Sequence, residues 1–524
     1  MAENSYLIGV DLGTAGTKAA IFDEEGNLIA DAYKESRLSY PKPGWVEQEL
    51  DDFYRSACQT IKEIIEKSKI SPHRIAAIAF DGQMGGIGGV DEYWRPVTRY
   101  DSWLDTRCEP YIDLMKRQAE DLVLRKTGAA PSYNHGPRIL WWKNEAPEVF
   151  RKIHKFVMPA GYVAGKMANL KGEEAFIDYT YIHFSGFSST EDGSWSEELC
   201  QMFDLPLDKL PRIVSPWEII GKLSSQAARD CGLITGIPIA AGAGDQMAGF
   251  LGAGLVEEGE LIDVAGTASC FAGCISNFTP DLKTKTFLCF RSVIPGLWYL
   301  LAYINGGGQC LRWFRDQFAQ TEKKEAKERG IDPYQVLNEK AEKIPPGSEG
   351  LIFVPHLGGR VCPYNPYVKG SWFGFSWKHT KSHFYRAILE GIAYEYAYYF
   401  AILKKLSPDL SFQKVRVIGG GARSPLWNQI KADVLNLSYL RVSREELAVL
   451  GSAIIAGYAV GLFSDLVSTS KKFTSTTTPS INPSLSRHDY YQNFSKLYLK
   501  LLSSQEDPSR ELTRICRLPL PDEG

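Results

Sequence analysis

An excess of charge of one sign is missing from this chain. Its 524 residues carry 59 Lys plus Arg against 62 Asp plus Glu, a formal net charge of −3. A nucleic-acid or anionic-membrane binder needs a basic surface to displace counterions, so neither partner is expected. Long hydrophobic runs are missing too. The uncharged stretch Leu447 to Phe463 falls short of the ~20 apolar residues of a membrane span. Its Ala and Gly spacing suits a tightly packed buried helix. The start, MAENSYLIGVDLG, has no basic cluster ahead of its short apolar run. No export signal is read there, and a cytoplasmic setting is expected.

Paired metal ligands are scarce. The 10 cysteines are scattered without a CxxC pair, and Cys270 and Cys274 have no His beside them. The 8 histidines show no HExxH spacing. A zinc site is therefore not expected, and the cysteines read as reduced, mostly buried thiols. Walker A and GxGxxG signatures are both absent, which disfavours a P-loop or a dinucleotide site. The residues that are present make an ordinary globular mixture, 44% hydrophobic and 23% charged. At roughly 150 residues per domain the length allows about two to four domains.

Tyr6 to Val10, Thr17 to Phe22 and Leu28 to Leu38 read as strands joined by short turns, an antiparallel meander. A helix is expected over Leu50 to Lys69, with Phe53, Ala57, Ile61, Ile64 and Ile65 on one face. Arg74 to Phe80 follows as a strand. The order repeats faintly later in the chain: Glu260 to Val264, Thr286 to Arg291 and Leu297 to Tyr303 as strands, then helical Cys310 to Phe318. Val415 to Ile418 then enters a Gly-rich turn and the helix Pro425 to Leu435. Two related α/β domains facing a cleft are the simplest arrangement, joined near Gly252 to Gly259. Ser468 to Thr478, rich in Ser, Thr and Lys, reads as a mobile loop or linker.

Four glycine-rich turns each follow an apolar strand run. In Asp11-Leu-Gly13-Thr14-Ala-Gly16-Thr17-Lys18, converging N–H groups and a lysine suit a phosphate, and Asp11 suits Mg²⁺ held through water. A plain hairpin turn is the alternative. In Gly242-Ala-Gly244-Asp245-Gln246, Asp245 is the one ionisable group between Ile234 and Val256. It either caps a helix starting at Gln246 or serves as a catalytic acid or base. Asp263-Val-Ala-Gly266-Thr267-Ala-Ser269 is a second phosphate clamp or a polar turn. Gly419-Gly420-Gly421-Ala-Arg-Ser424 allows close approach of a planar ring or phosphate, or is a crowded strand-to-helix turn. Four such turns split between two similar domains suit a nucleotide clamped between hairpins.

These residues resemble the FGGY family of carbohydrate kinases from about Tyr6 to Phe463. The family's C-terminal signature is matched by Gly370-Ser-Trp372-Phe-Gly374-Phe375, His383-Phe384 and Ala387-Ile-Leu-Glu390. Phe375 stands where an aliphatic residue is usual. The N-terminal signature is matched loosely over Tyr133 to Glu145, with Trp141 in place, His135 for a small hydroxyl or proline, and Arg138 for lysine.

The resemblance implies two actin-like (ribonuclease-H-like) ATPase domains with mixed sheets flanking a central cleft. Residues 1–252 would bind sugar, residues 253–465 would bind nucleotide, and residues 466–524 form a C-terminal extension. It implies Gly13, Thr14, Lys18, Gly266, Thr267, Gly308, Gly420, Gly421 and Ser424 around ATP, and Asp11 at Mg²⁺. Asp245 is implied as general base. Gln83, Met84, Trp103, Asp105, Arg107, Asp245 and Gln246 are implied on the sugar side. Gly85 stands where typical xylulose kinases have His.

The expected activity is phosphorylation of a sugar or polyol, with a five-carbon ketose such as xylulose or ribulose leading. Glycerol, gluconate and a six-carbon ketose are the alternatives. An actin-like ATPase working as a binding machine is the rival from another class. No macromolecular partner is expected beyond a second copy of the chain in a homodimer.

Overall fold

The structure, a computed structural model, describes residues 5–474 and 479–516. β1 (Tyr6–Leu12), β2 (Gly16–Phe22) and β3 (Leu28–Glu35) form the expected antiparallel meander. Leu7, Ile8, Val10 and Leu12 are all buried, because β1 is covered on both faces. α1 (Leu50–Ser68) buries Leu50, Phe53, Ala57, Ile61 and Ile64 at three- and four-residue spacing. β4 (Ile75–Gly82) returns parallel to β1. The chain then leaves the sheet for an insertion that includes α2 (Glu109–Thr127) and α3 (His135–Glu145). It returns as β5 (Ile219–Lys222) and β6 (Pro238–Gly244), followed by α4 (Asp245–Gly252). The sheet order is β5-β6-β4-β1-β2-β3.

The second half contains β7 (Leu261–Ala265), β8 (Ser269–Ile275), β9 (Leu288–Arg291), β10 (Trp298–Ile304) and α5 (Gly307–Phe318). α6 (Lys381–Leu406), β11 (Lys414–Ile418), α7 (Pro425–Leu435) and β12 (Ser438–Arg441) follow. Its sheet order is β9-β10-β8-β7-β11-β12. The run β10-β8-β7-β11-β12 repeats β3-β2-β1-β4-β6, an antiparallel meander extended by two parallel strands. The expected pair of related α/β domains with mixed sheets is thus present. One assignment within the repeat is corrected. The middle strand of the second meander is Ser269–Ile275, and Leu288–Arg291 lies at the sheet edge. Every residue of Ser269–Ile275 is buried, so the segment shows no polar alternation to mark it as a strand.

α8 (Leu447–Ala459) is the buried helix expected from its uncharged sequence, and it crosses to the first domain. Leu450, Ala453 and Ile454 share one apolar cluster with Leu7, Ala77 and Ala79 of the first sheet. Glycine makes the crossing tight: a Cβ on Gly451 would fall 1.9 Å from the Ala248 carbonyl oxygen, and one on Gly252 would fall 1.9 Å from that of Leu447. A backbone clash cannot be relieved by a rotamer change. Gly451→Ala is expected to destabilise by about 1–3 kcal/mol, the usual range for overpacking. Gly249 in α4 has open space where its Cβ would be. Gly249→Ala is expected to gain up to about 1 kcal/mol from helix propensity. Melting curves of the two variants should move in opposite directions.

The linker expected over Ser468 to Thr478 is a second correction. Its first part belongs to α9 (Leu466–Phe473), and residues 475–478 lie outside the described residues. Asp465 caps this helix through the Ser468 N–H at 2.6 Å, and Leu466, Ser470 and Phe473 are buried on one side. The Ser/Thr/Lys composition hid that stripe. α10 (Leu485–Ser504) and α11 (Glu506–Ile515) complete the extension. Tyr491 and Tyr498 of α10 donate to Glu390 (2.8 Å) and Glu395 (2.6 Å) of α6, which docks the extension on the second domain. Among the described residues, no helix is long and apolar enough to cross a membrane.

Candidate active site

Strands β6, β4 and β1 lie side by side and parallel, so their C-terminal ends open together on the cleft. Register places Asp11 opposite Asp81, and Asp245 follows directly after β6. Three carboxylates therefore lie at the C-terminal ends of neighbouring strands. Asp81 is fully buried, and its Oδ2 accepts a hydrogen bond from Ser452 of α8 at 2.6 Å. One oxygen each of Asp11 and Asp81 is buried without a partner. Burial pushes the Asp11 carboxyl up to about 6, with Asp81 and Lys18 opposing. Burial and then the charge of Asp11 push Asp81 well above the usual carboxylate range. The same two causes raise Asp245 to about 7, partly offset by the N–H of Gln246. That N–H reaches Asp245 Oδ1 at 2.7 Å. Gly244 holds the cap position of α4 and Asp245 is its first residue, one place earlier than the helix start expected from sequence.

The glycine turns have different occupations. In the first loop the Gly13 N–H bonds the Gly16 carbonyl at 3.0 Å, closing the turn between β1 and β2. Thr14 Oγ1 accepts from Trp103 Nε1 at 2.8 Å and donates to Gln83 Oε1 at 3.3 Å. This loop therefore touches the sugar-side residues directly. Lys18 is held by acidic side chains. Its ammonium pairs with Glu446 and, at 3.4 Å, with Asp31. Burial lowers the Lys18 pKa, but these partners outweigh it and the net shift is upward.

In the second loop Thr267 is exposed, and its carbonyl accepts the Gln309 N–H at 3.1 Å. Gly308 lies against this loop: a Cβ there would stand 2.0 Å from the Gly266 carbonyl oxygen. Gly420 faces open space, whereas a Cβ on Gly421 would strike the Trp427 ring. Ser424 caps α7, accepting the Trp427 N–H at 3.2 Å. Asp263, just ahead of the second loop, is buried in an ion pair with Lys431 and accepts from Tyr396 at 2.9 Å.

Gln83, Met84 and Trp103, the residues expected on the sugar side, lie together at the end of β4 and in the loop after it, and Gln246 follows Asp245 in α4. Gln83 Nε2 donates to Gln48 at 2.9 Å, and Met84 packs against Gly244. Trp103 is 43% exposed. Gln246 keeps one buried amide oxygen without a partner. Asp105 does not reach the open cleft. Its fully buried carboxylate accepts the Val46 N–H at 2.7 Å and holds Arg107. Arg107 also pairs with Glu47 at 2.7 Å and Asp101 at 3.6 Å. Arg138 donates to the carbonyls of Gly85, Trp103, Asp105 and Tyr133, which fixes these loops. His135 Nε2 donates to the Met84 carbonyl at 2.6 Å. Burial lowers its pKa to about 4, so the ring is neutral.

Sequence reasoning did not single out Asp81, Ser452, Glu47 or Asp101. An acid ending an apolar strand was the available signal for Asp81. For the other three, only three-dimensional pairing gives a signal. Among the described residues no group of three or more His, Cys, Asp or Glu side chains is arranged to hold a metal alone. The unpartnered Asp11 oxygen at a strand end fits a hydrated Mg²⁺ that arrives with the nucleotide, since Mg²⁺ commonly uses one or two carboxylates plus phosphates.

Two repeated mixed-sheet domains, glycine turns at strand ends in both, and a half-buried carboxylate at the start of α4 are the features set beside known proteins. The comparisons carry this further. Residues 6–252 match the N-terminal domain of the FGGY family of carbohydrate kinases and residues 263–460 match its C-terminal domain, so the chain belongs to that family and is a carbohydrate kinase. It is 30% identical over 461 residues to the gluconokinase of Bacillus subtilis (strain 168), covering 87% of this chain and 88% of that one. It is 28% identical to the xylulose kinase of Escherichia coli (strain K12), covering 94% and 99%. The ligand-bound xylulose kinase from Lactobacillus acidophilus shares the fold, with a TM-score of 0.86 at 23% identity over 96% of this chain and 98% of that one. As a kinase of this family the protein uses ATP and acts on a small sugar or polyol.

Proposed function

We propose that this cytoplasmic kinase transfers the γ-phosphoryl group of Mg²⁺-bound ATP to a hydroxyl of a five-carbon ketose such as xylulose or ribulose. The observation that carries the reading is the position of Asp245. It stands at the start of α4 beside Asp11 and the first phosphate loop, and its carboxyl is poised near pH 7. The second domain supplies the Gly266-Thr267 and Gly420-Gly421 loops. Asp11 would hold Mg²⁺, which would supply neutralisation of the phosphate charge. Gly13 and Thr14 position the triphosphate, and Trp103 and Gln83 tie that loop to the sugar. Asp245 takes the proton of the attacking hydroxyl as its oxygen bonds to the γ-phosphorus and ADP leaves. Positioning and charge neutralisation are the main demands of such a transfer.

The charge pattern of the sugar side favours a neutral acceptor over gluconate. A gluconate carboxylate is held most strongly by an uncompensated cation. Arg107 is surrounded by Glu47, Asp101 and Asp105, and Arg138 is spent on backbone carbonyls and Asp105. ADP release measured across xylulose, ribulose, gluconate, glycerol and six-carbon ketoses tests the proposal. Release with a pentulose at a kcat/KM above that of every other compound is expected. A preference for gluconate overturns the substrate assignment.

Gly85 tunes the same site. A Cβ there would lie 3.0 Å from the Trp103 Cβ. His135, bonded to the neighbouring Met84 carbonyl, places an imidazole against the same motif from another helix. Gly85→His is expected to shift the ranking among ketoses by about tenfold in kcat/KM, the effect of one hydrogen bond gained or lost. Gly85→Ala separates that effect from displacement of Trp103. A ranking unchanged in a folded Gly85→His protein removes position 85 from sugar recognition.

A further inference from the structure

We propose that a cavity in the second domain, walled by the C-terminal extension, is a separate binding site for a metabolite-sized organic anion. The cavity is a groove open on one side, with Lys404, Lys496 and Leu499 exposed at its rim, and it offers about 450 Å³ between α6, the C-terminal end of α7 and α10. Small-molecule sites commonly span about 300–1,000 Å³. None of its lining residues belongs to the glycine loops or the sugar-side residues. Phe400, Phe412, Leu435 and Leu499 give it an apolar wall suited to a carbon skeleton.

Its polar groups point to the charge of the occupant. Lys404, Lys496 and His488 line the cavity, and no Asp or Glu does. His488 Nδ1 donates to the Asp433 carbonyl at 3.0 Å, which fixes the ring. Two further lining groups, the Tyr394 and Ser495 hydroxyls, are buried with no hydrogen-bond partner. Tyr394 is 1% exposed and Ser495 9%. Buried hydroxyls are normally paired, so two orphans in one positively charged cavity match an oxygen-rich anionic ligand. Phosphate and carboxylate metabolites share that chemistry.

The site has direct structural connections to the nucleotide loops. α7 begins at the Ser424 cap and ends with Val434 and Leu435 in the cavity wall. Lys431 of α7 and Tyr396 of α6 both hold Asp263, on the strand that leads into Gly266 and Thr267. The helices that would contact the anion are therefore those that anchor two of the proposed ATP loops. This connection rests on the proposed function, whereas the binding site does not.

Calorimetric titration of the full-length protein tests the proposal. The probes are inorganic phosphate, xylulose 5-phosphate, 6-phosphogluconate and citrate, with uncharged xylulose as control. The comparison is with the double variant Lys404→Glu/Lys496→Glu and with Tyr394→Phe, which keeps the ring and removes the hydroxyl. Any anion that binds at the cleft binds parent and variants alike. The expected result is a component of at least one anion titration that weakens tenfold or more in the double variant and also weakens in Tyr394→Phe. Identical titrations of parent and Tyr394→Phe, or of parent and a folded double variant, for every anion overturn the site. Absence of activity on every sugar would instead sink the kinase reading and leave this difference in place.

Discussion

Asp245→Asn is expected to lower kcat by about 10²–10⁴-fold, the usual worth of a general base, without lowering the melting temperature. The amide keeps the shape and removes the basic oxygen. A purely structural role at the helix start predicts near-normal turnover, because Asn serves a helix N-terminus nearly as well as Asp. In the parent, kcat/KM should rise with pH and level off above about 7, since the base must lose its proton and burial next to Asp11 holds its pKa there. The variant should lose that acid limb. Stability gives an independent check with a definite sign. The folded pKa lies above the unfolded value of 3.8, so the stabilising protonated form is fully present below pH 3.8 and is lost as pH rises through about 7. The difference in melting temperature in favour of Asp245→Asn should therefore widen between pH 5 and pH 8. A folded variant with ordinary kcat eliminates Asp245 as the base.

Asp11→Asn is the second large effect expected. Its carboxylate oxygen is buried, unpartnered and placed at the strand end that enters the first glycine turn. Replacement by a neutral amide should reduce turnover at ordinary Mg²⁺ on the order of 10²–10³-fold, comparable to removing a major electrostatic stabiliser. It should also move the Mg²⁺ dependence to higher concentration. A fluorescent ATP analogue supplies a readout besides activity. Mg²⁺ should strengthen its binding to the parent more than to the variant. Unchanged turnover across the titration removes Asp11 from the metal site.

What the sequence disclosed follows from the range of the physics involved. Asp11, Asp245 and the glycine turns lie in short segments whose backbone demands and charge are local. The meander and α1 were legible because period-two and period-3.6 burial repeat within a few residues. Ser269–Ile275 was not, since a strand buried on both faces loses its alternation. Asp81 becomes notable only when β1 and β4, far apart in the chain, set it opposite Asp11. Lys18 shows the converse. Its motif suits a phosphate, but Glu446 arrives from the other half of the chain and takes its ammonium. Composition misread α9 because a short amphipathic stripe carries less weight than the ten polar residues between Ser468 and Thr478.

The return of α8 has a consequence for dividing the protein. Matches to two family domains invite cutting the chain near residue 252 and expressing each half alone. The first half would then lack Leu450, Ala453 and Ile454, which cover Leu7, Ala77 and Ala79. It would also lack Ser452, the hydrogen-bond donor to Asp81. An open apolar sheet face invites aggregation. A soluble first half needs α8 supplied as a fused or added peptide, so the unit of folding in this kinase is discontinuous in sequence.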